Sequence, residues 1–395
     1  MRIFQGGLPR ARELLRCHFG HPALRVHQIR VLGSLFAGRS VLAVLPTGAG
    51  KSLCYQLPAL MADGLTLVIS PLVALMQDQV ATLQRRGLPA SYLNSLLSVE
   101  DRRAVLGEVC AGRVRLLYCA PERLATLAPR LRAHGVRVSF LAVDEAHCVI
   151  QWGNEFRPVY RRLGQYRYIL RDPVTLAVTG SATPDTRAEI LKVLRVPHAD
   201  VIITSFDRPN LVFLVQRVRD DRERFARLRQ LVRHAAGHTV VYAPTRRLTE
   251  LVARALLRAG VAAAPYHAGL LPETRRQLLV DFLQDRVPVV VATSAFGMGI
   301  DKPDVRRVIH WGPPHTLEAY YQEAGRAGRD GARAECCILW NSADFAWGEC
   351  DPAMRRYVEA RSCRRRMLLE YFGETRVRCA GCDRCGVVQA FAGNR

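Results

Sequence analysis

The sequence has no long apolar run and few acidic residues. The lack of about 18 consecutive apolar residues argues against a transmembrane helix. The basic N-terminal segment also has no apolar core of the kind that a secretory signal needs. Low-complexity tracts and short-period repeats are missing as well. Because 49% of the 395 residues are hydrophobic, we expect a globular chain of about two or three domains rather than a disordered one.

The shortage of acidic residues leaves a large positive surplus. Asp and Glu total 35 against 57 Lys and Arg, which gives a net charge of +22. A surplus of this size favours a polyanionic partner, because each cation laid against a phosphate releases a condensed counterion. A soluble Arg-rich protein without such a partner would show the same composition. Composition alone therefore leaves both interpretations open.

Short apolar runs alternate with amphipathic segments along most of the chain. This βαβα rhythm predicts parallel sheets that are covered on both faces. The rhythm restarts after the segment SFDRPN at 205–210, so we predict two α/β lobes, 1–206 and 207–342, and a C-terminal module, 343–395. The predicted strands are 41–45, 65–69, 114–119, 138–143, 174–178, 239–243, 288–292, 306–311 and 334–340.

The first predicted strand is followed by the sequence PTGAGKS. A strand that leads into a Gly-rich turn and then a helix presents backbone N–H groups to phosphates. We expect Lys51 to reach the β- and γ-phosphates and the Ser52 hydroxyl to bind Mg²⁺. Leu45 replaces the usual first glycine, and a Gly-rich turn that arose by chance is the alternative. The residues predicted to hold the phosphates are Thr47, Gly48, Ala49, Gly50, Lys51 and Ser52.

A second polar group follows the predicted strand 138–143. Asp144 and Glu145 stand at its carboxyl end, with His147 two residues later. Side chains at this end of a buried parallel strand project into the crevice where ligands bind. Asp144 is suited to bind Mg²⁺, and Glu145 to orient the attacking water. An acidic turn that merely caps a helix is the alternative.

The segment YYQEAGRAGRDG at 320–331 combines arginines with glycines. If it is helical, one face carries Gln322, Arg326 and Arg329. Arg326 and Arg329 would then point at one target, as an arginine finger does at a γ-phosphate. A solvated charged face is the alternative. Gly325 and Gly328 weaken a helix, which indicates that a neighbouring backbone packs closely there.

Four cysteines cluster near the C-terminus. Two overlapping CxxC spacings join Cys379, Cys382 and Cys385, and Cys363 lies upstream. Four thiolates at such spacing predict a closed tetrahedral Zn²⁺ site that stabilises a small module. Redox-active or unrelated cysteines are the alternative. The arginines at 364–366 would form a basic patch for a duplex backbone or an ordinary solvated face.

The other eight cysteines are scattered. Cys119, Cys336 and Cys337 lie inside apolar, strand-like runs. Such residues behave as small buried hydrophobes. We expect them to be free thiols in a reducing compartment.

The ordered motifs resemble the catalytic core of RecQ-family helicases of superfamily 2 over about residues 17–386. The motifs are RVHQ, PTGAGKS, SPLVALMQDQV, YCAPERL, DEAH, QWGNEFRPVY, SAT, YHAGL, ATSAFGMGID and YQEAGRAGRDG, followed by the cysteines. The resemblance implies two tandem RecA-like parallel-sheet lobes and then a small helical zinc-binding module. It also implies that ATP binds between the lobes with Mg²⁺.

The resemblance implies roles for further residues. Arg25 and Gln28 would read adenine, and His147 would transmit the nucleotide state. Leu24, Val26 and His27 depart from the family's usual aromatic, Pro and Gly. The aromatic loop after DEAH would stack on unpaired bases, with core packing as the alternative. The implied DNA contacts are Trp152, Phe156, Arg157, Pro71, Thr245 and Thr293.

For the whole chain, the resemblance implies 3′-to-5′ movement on single-stranded and tailed duplex DNA, with unwinding, in DNA repair and recombination. Single-strand-binding or repair proteins are implied as further partners, and the nucleoid in a bacterial cytoplasm as the location. The ten residues after Cys385 leave no room for the winged-helix and HRDC domains that are usual in the family. We therefore expect a short form or a fragment, whose unwinding is weak or partner-dependent. A DEAH-type RNA helicase and an ATP-gated clamp or annealing protein are the rival functions.

Overall fold

A computed structural model describes residues 4–46, 48–71, 73–94, 97–151, 158–233, 237–296, 302–346, 350–375 and 378–385. The chain forms two compact units, Met1–Ser205 and Phe206–Arg395. None of the helices in the described ranges has the length and apolar character that a membrane crossing requires.

The first unit is built on a parallel sheet. Its described strands are β1 (Val41–Val44), β2 (Leu65–Ile69), β3 (Ala90–Leu93), β4 (Leu116–Cys119), β5 (Val138–Val143), β6 (Val174–Thr179) and β7 (Asp200–Ile203). They lie in the order β3-β4-β2-β5-β6-β1-β7. Every residue of the five central strands is buried, as expected when helices cover both faces.

Helices connect these strands. They are α1 (Gly7–Phe19), α2 (Val26–Phe36), α3 (Leu53–Met61), α4 (Val73–Arg85), α5 (Val99–Cys110), α6 (Leu124–Ala133), α7 (Cys148–Gln151), α8 (Leu163–Ile169) and α9 (Pro184–Leu194). Two short 3₁₀ helices are Pro121–Arg123 and Pro158–Arg162. Because β5, β6 and β1 are adjacent and parallel, the loops after their carboxyl ends meet at one edge of the sheet.

The second unit has its own parallel sheet. Its described strands are β8 (Leu211–Arg217), β9 (His238–Tyr242), β10 (Ala263–Tyr266), β11 (Val289–Ala292), β12 (Val305–His310) and β13 (Ala334–Trp340), in the order β10-β11-β9-β12-β13-β8. Its helices are α10 (Asp221–Arg233), α11 (Arg246–Arg258), α12 (Pro272–Leu283), α13 (Leu317–Ala324), α14 (Pro352–Glu359) and α15 (Arg364–Tyr371), with a 3₁₀ helix at Ser342–Phe345. The cysteine cluster follows α15.

The predicted α/β class with two parallel-sheet lobes and a helical C-terminal module is confirmed. The strands predicted at 65–69, 138–143 and 334–340 have the observed bounds. Others are displaced slightly, such as β12, which begins at Val305 and ends at His310 instead of spanning 306–311. The division into 1–206, 207–342 and 343–395 remains a prediction.

Candidate functional site

The loop after β1 has the backbone conformation of a tight Gly-rich turn. Gly48 and Gly50 have φ angles of 81° and 76°, in the left-handed region that favours glycine. Lys51 Nζ lies at the end of the loop and donates to the Leu45 carbonyl at 3.4 Å. This conformation suits a phosphate cradle. Thr47, which was predicted to belong to the cradle, lies outside the described residues.

The start of α2 holds this loop in place. Arg25 Nη1 donates to the Gly48 carbonyl at 2.6 Å, and Gln28 Nε2 to the Gly50 carbonyl at 3.2 Å. Gln28 is buried, and its Oε1 accepts from the Arg25 backbone N–H at 2.9 Å. A Cβ at Gly50 would lie 2.6 Å from Gln28 Nε2. A side chain at position 50 would displace the Gln28 amide, and the positive φ of 76° independently favours glycine there.

His27 also contacts the loop, a role that the sequence did not reveal. Its Nε2 lies 2.8 Å from the Ala49 carbonyl. A carbonyl oxygen only accepts hydrogen bonds, so Nε2 carries the proton. The available signal was the departure from the family pattern, where Gly is usual. The imidazole adds a third side-chain bond between the start of α2 and the loop.

Asp144 lies buried at the carboxyl end of β5. Its Oδ2 accepts from the Tyr55 hydroxyl at 3.1 Å, and its Oδ1 from the Glu145 backbone N–H at 3.0 Å. Burial, together with the Glu145 charge, raises the pKa of Asp144 to about 7, although Lys51 opposes the shift. A carboxylate in this position is stabilised by a cation. The buried Asp144 carboxylate therefore fits the role of a ligand to a divalent metal ion.

Glu145 has a strained backbone. Its φ of 48° is positive, a conformation that costs a bulky residue about 1–3 kcal/mol and is concentrated at functional sites. The side chain retains 22% exposure, and its Oε2 lies 3.3 Å from His147 Nδ1. The carboxylate is thus accessible at the sheet edge where the Gly-rich loop also ends.

His147 links this acidic group to the loop after β6. Burial lowers the pKa of His147, although Glu145 opposes the shift. Its Nδ1 lies 2.9 Å from Thr179 Oγ1, which donates to the Ser181 carbonyl at 3.0 Å. Because the threonine proton is used in that bond, the His147 Nδ1–H is the donor to Thr179. The DEAH and SAT motifs are therefore linked by hydrogen bonds through Thr179, the last residue of β6.

Gln79 of α4 connects several of these groups. Its Nε2 donates to Ser52 Oγ at 3.0 Å, and its Oε1 accepts from the hydroxyls of Tyr55 and Tyr118, both at 3.0 Å. Tyr55 also contacts Asp144, so one amide bridges the two predicted Mg²⁺ ligands. The sequence analysis missed Gln79. A polar residue within the apolar periodicity of α4 was its only signal.

The predicted helix at 320–331 is wrong in its second half. Helix α13 ends at Ala324 with Gly325 as its C-cap, and Arg326 and Arg329 lie in the turns that follow. Gly328 has a φ of 55°, which is incompatible with a continuing helix. Close packing at this glycine, which the sequence indicated, is confirmed. We call residues 325–331 the arginine turn.

The backbone of the arginine turn lies beside the start of β12, where the Gly328 N–H donates to the Val305 carbonyl at 2.9 Å, and its side chains interact with Tyr242 of β9. Burial raises the pKa of Tyr242, while Arg326, which bonds its hydroxyl, and Arg329 act in the opposite direction. The same hydroxyl donates to the Phe296 carbonyl at 2.8 Å. Gln322 is half-buried on α13. Both guanidiniums therefore act on the Tyr242 hydroxyl.

Three of the predicted DNA contacts follow strands at carboxyl edges. Pro71 is buried after β2. Thr245 Oγ1 accepts from the Leu248 N–H at 3.2 Å and caps α11. Thr293 follows β11, and its N–H donates to the Tyr266 carbonyl at 3.1 Å. The predicted contacts outside the described residues are Trp152, Phe156 and Arg157.

The four C-terminal thiols converge. The Sγ atoms of Cys363, Cys379, Cys382 and Cys385 all lie within 4.8 Å of one another, with Cys363 and Cys382 3.9 Å apart. A tetrahedral Zn²⁺ with bonds of about 2.3 Å places its sulfurs about 3.8 Å apart. The residues therefore fit a structural zinc ion. Cys363 precedes α15 as its N-cap and does not lie within a helix.

The close approach of the four thiols shifts the pKa values of Cys379, Cys382 and Cys385 in different directions. Burial opposes the shift, but the backbone N–H groups of Arg384 and Arg364 lower the pKa of Cys382 to about 7. The neighbouring Cys363 and Cys382 raise the pKa of Cys385 well above its ordinary value. Thiolates this close repel one another unless a cation lies among them.

The predicted basic patch at 364–366 is wrong for two of its three arginines. Arg364 and Arg365 are both 0% exposed. Arg364 Nε donates to Asp383 at 3.1 Å, and Arg365 pairs with Asp207. Arg366 alone is exposed. The helix turns the first two guanidiniums inward because carboxylates distant in the sequence neutralise them there.

Three family profiles match the chain in order. They are DEAD/DEAH box helicase over residues 25–191, helicase conserved C-terminal domain over 223–331, and RecQ zinc-binding over 352–386. The crystal structure of the DUF1998 helicase MrfA bound to DNA, 20% identical, has the same fold. Its TM-score is 0.71 over 94% of this chain and 54% of that one.

Curated relatives extend over nearly the whole chain. The ATP-dependent DNA helicase RecQ of Haemophilus influenzae is 40% identical over 95% of this chain. The chain spans 64% of the length of that relative. The protein of the same name from Synechocystis sp. is 42% identical over 87% of this chain and 74% of its own length. With this identity and coverage, the chain belongs to the RecQ helicase family.

Proposed function

We propose that the protein is an ATP-driven motor that moves 3′ to 5′ on single-stranded DNA and separates duplex strands. One observation carries the proposal. The Gly-rich loop with Lys51 and Ser52 and the acidic pair Asp144 and Glu145 end at the same edge of the first sheet. The Tyr55 and Gln79 hydrogen bonds join them there. We retain 1–206, 207–342 and 343–395 as the proposed domains.

The first unit has the groups that ATP hydrolysis needs. Gly48, Ala49, Gly50 and Thr47 would surround the phosphates, with Lys51 on the β- and γ-phosphates. Bound Mg²⁺, held by Ser52 and Asp144, would neutralise phosphate charge. Glu145 would orient the attacking water. Arg25 and Gln28 would contact adenine, and His147 would transmit the state of Glu145 to the loop after β6.

The second unit supplies the cations. Arg326 and Arg329 would stabilise the negative charge that develops on the transferred phosphoryl group, supported by Gln322. Two guanidiniums in one turn, held beside Tyr242, suit this role better than a solvated face. The zinc ion, held by the four C-terminal cysteines, would stabilise the fold of the module and take no part in hydrolysis.

The proposal that the protein moves on DNA rests on its net charge and on the names of its relatives. The relatives are named DNA helicases, and the MrfA structure contains DNA. A net charge of +22 suits a polyanion. We assign contacts with a single strand to Pro71, Thr245, Thr293, Trp152, Phe156 and Arg157. Repair and recombination, single-strand-binding or repair proteins as partners, and a cytoplasmic location at the nucleoid belong to the same proposal.

The ATPase is tested with one substitution and a matched control. Lys51 is one of three lysines in the chain. Lys51→Ala should abolish DNA-stimulated ATP hydrolysis, because the ammonium that would bind the β- and γ-phosphates is lost. Lys192→Ala, at a lysine on α9 that is 78% exposed, should leave the activity unchanged. Full activity in Lys51→Ala would refute the assigned site.

Two further experiments test separately which nucleic acid the protein acts on and whether it unwinds a duplex. ATPase stimulation by single-stranded DNA should exceed stimulation by RNA of the same sequence, whereas equal or greater stimulation by RNA would favour an RNA helicase. Strand displacement should occur on a 3′-tailed duplex and not on a 5′-tailed one. ATP hydrolysis without displacement would remove the helicase assignment and leave an ATP-gated clamp or a translocase.

A further inference from the structure

The segment SFDRPN at 205–210 was predicted only to connect the two lobes. In the structure it also binds the arginine turn. Residues 206–210 belong to the second unit and form neither helix nor strand. Two of their side chains, Arg208 and Asn210, extend to the arginine turn, which lies about 118 residues later in the chain. Both side chains donate to backbone carbonyls of the turn.

Arg208 binds three carbonyl oxygens of the arginine turn. Its Nη1 donates to Gly325 at 3.2 Å, and its Nη2 to Ala327 at 3.1 Å and to Gly328 at 2.8 Å. These carbonyls lie at the C-cap of α13 and beyond it, in the turn that follows the helix. The planar guanidinium binds all three at once, which a single ammonium does less well. The conformation of the turn after Ala324 is thus set by this side chain.

Asn210 binds the Gly328 carbonyl as well, together with the carbonyl of the residue that follows the turn. Its Nδ2 donates to the carbonyls of Gly328 at 2.8 Å and Ala332 at 2.9 Å. A Cβ at Gly328 would lie 2.5 Å from Asn210 Nδ2 and 2.6 Å from the Ala332 carbonyl. Glycine therefore suits position 328, because the Asn210 amide approaches closely there and the turn has a positive φ at this residue.

The segment is itself anchored on its other side. Arg365 Nη1 donates to the Arg208 carbonyl at 2.9 Å and also pairs with Asp207. The ring of Phe206 stacks on Phe372 with centroids 4.6 Å apart. Arg208 is therefore held through its backbone by α15, next to the cysteine cluster, while its side chain holds the arginine turn.

We infer that Arg208 and Asn210 are positioning residues for Arg326 and Arg329. They set the backbone from which the two guanidiniums project, and they touch no reacting atom. The inference rests on the proposed role of Arg326 in ATP hydrolysis. A displacement of about 1 Å at a reacting group lowers a rate about 100-fold, so loss of the three-carbonyl contact should act on kcat.

The test is a kinetic double-mutant cycle in the full chain with Arg208→Ala and Arg326→Ala. Arg208→Ala should lower the kcat of DNA-stimulated ATP hydrolysis about 100-fold and leave the KM for ATP within about twofold. In the Arg326→Ala background, Arg208→Ala should slow hydrolysis by a smaller factor than in the wild type, because the contribution of Arg326 is already lost and only that of Arg329 remains. Arg219→Ala, at an arginine of the same unit that is 87% exposed, should match the wild type.

The outcomes separate the two proposals. If Arg326→Ala keeps the wild-type kcat, the proposed role of that arginine fails. If Arg326→Ala is slow but Arg208→Ala is not, or if the two effects multiply, the positioning role is refuted. Arg208→Lys covers the case in which the alanine variant does not fold. Lysine keeps the positive charge but lacks the planar guanidinium, so this variant should have an intermediate kcat. Amide hydrogen exchange in residues 325–332 should be faster than in the wild type. An unchanged exchange rate in these residues would also overturn the inference.

Discussion

Replacing Arg364 by methionine should destabilise the second unit. Arg364 is 0% exposed, and its Nε lies 3.1 Å from Asp383 Oδ1. Its Nη1 also donates to the backbone carbonyl of Tyr357. Methionine matches the apolar stem of arginine but donates nothing. The substitution would leave Asp383, two residues from Cys385, without its buried cation.

The magnitude follows from the burial of the pair. Removing one partner of a buried ion pair costs about 3–5 kcal/mol. Asp383 keeps 20% exposure, so water can solvate part of its charge, and we expect about 3 kcal/mol, near the lower end of that range. With a urea dependence of about 2 kcal/mol per molar, the unfolding midpoint of the second unit should fall by about 1.5 M.

The assay is release of bound zinc to a colorimetric chelator as urea is increased. Hydrogen exchange in α14 and β8 gives a second readout. Arg366→Met is the matched control, because Arg366 lies on the same helix but is exposed. Its midpoint should stay within a few tenths of a molar of the wild type. Equal midpoints for the two variants would refute the structural argument for the buried arginine.

Two further outcomes are expected. Gln79→Leu should raise the Mg²⁺ concentration for half-maximal ATPase activity, because Ser52 Oγ loses the donor 3.0 Å away; an unchanged Mg²⁺ titration would contradict this. The pKa of Asp304 is below its ordinary 3.8, since Lys302 and His238 outweigh the opposing effect of burial. A lowered folded-state pKa gives stability that is present above about pH 4 and lost as the pH falls through the folded value. Lys302→Met should reduce the change of the urea midpoint with pH in this acidic range. If the midpoint of the variant changes with pH as it does in the wild type, the Lys302–Asp304 pair is not the source of the acid dependence.

Nine of the thirteen described strands and the first-unit site could be predicted because their signals are local, whereas β3, β7, β8 and β10 were not predicted. A buried parallel strand is a short apolar run, and the Gly-rich loop and DEAH each directly follow one. The adjacency of β5, β6 and β1 then places Lys51 near Asp144 without further information. His27 and Gln79 were missed because hydrogen bonds to a distant carbonyl or hydroxyl leave no periodic pattern.

The errors arose where distant segments determine the local structure. The segment 320–331 has helical spacing, yet α13 ends at Ala324 because donors from Arg208 and Asn210 stabilise a turn there. The arginines at 364–366 look like a surface patch, yet two of them are buried against carboxylates far away in the sequence. In both cases the deciding partner is more than a dozen residues distant, beyond the range of helical periodicity.

The position of β8 has a consequence for the order in which the chain is made. This strand opens the second unit, is largely apolar, and pairs with β13 on one side. On its other side the Phe213 carbonyl accepts from the Asp383 N–H at 3.1 Å. Both neighbours are synthesised more than a hundred residues later. In a nascent chain β8 is therefore an exposed apolar strand that is prone to aggregation. It is paired on both sides only after translation has reached the C-terminal cysteines.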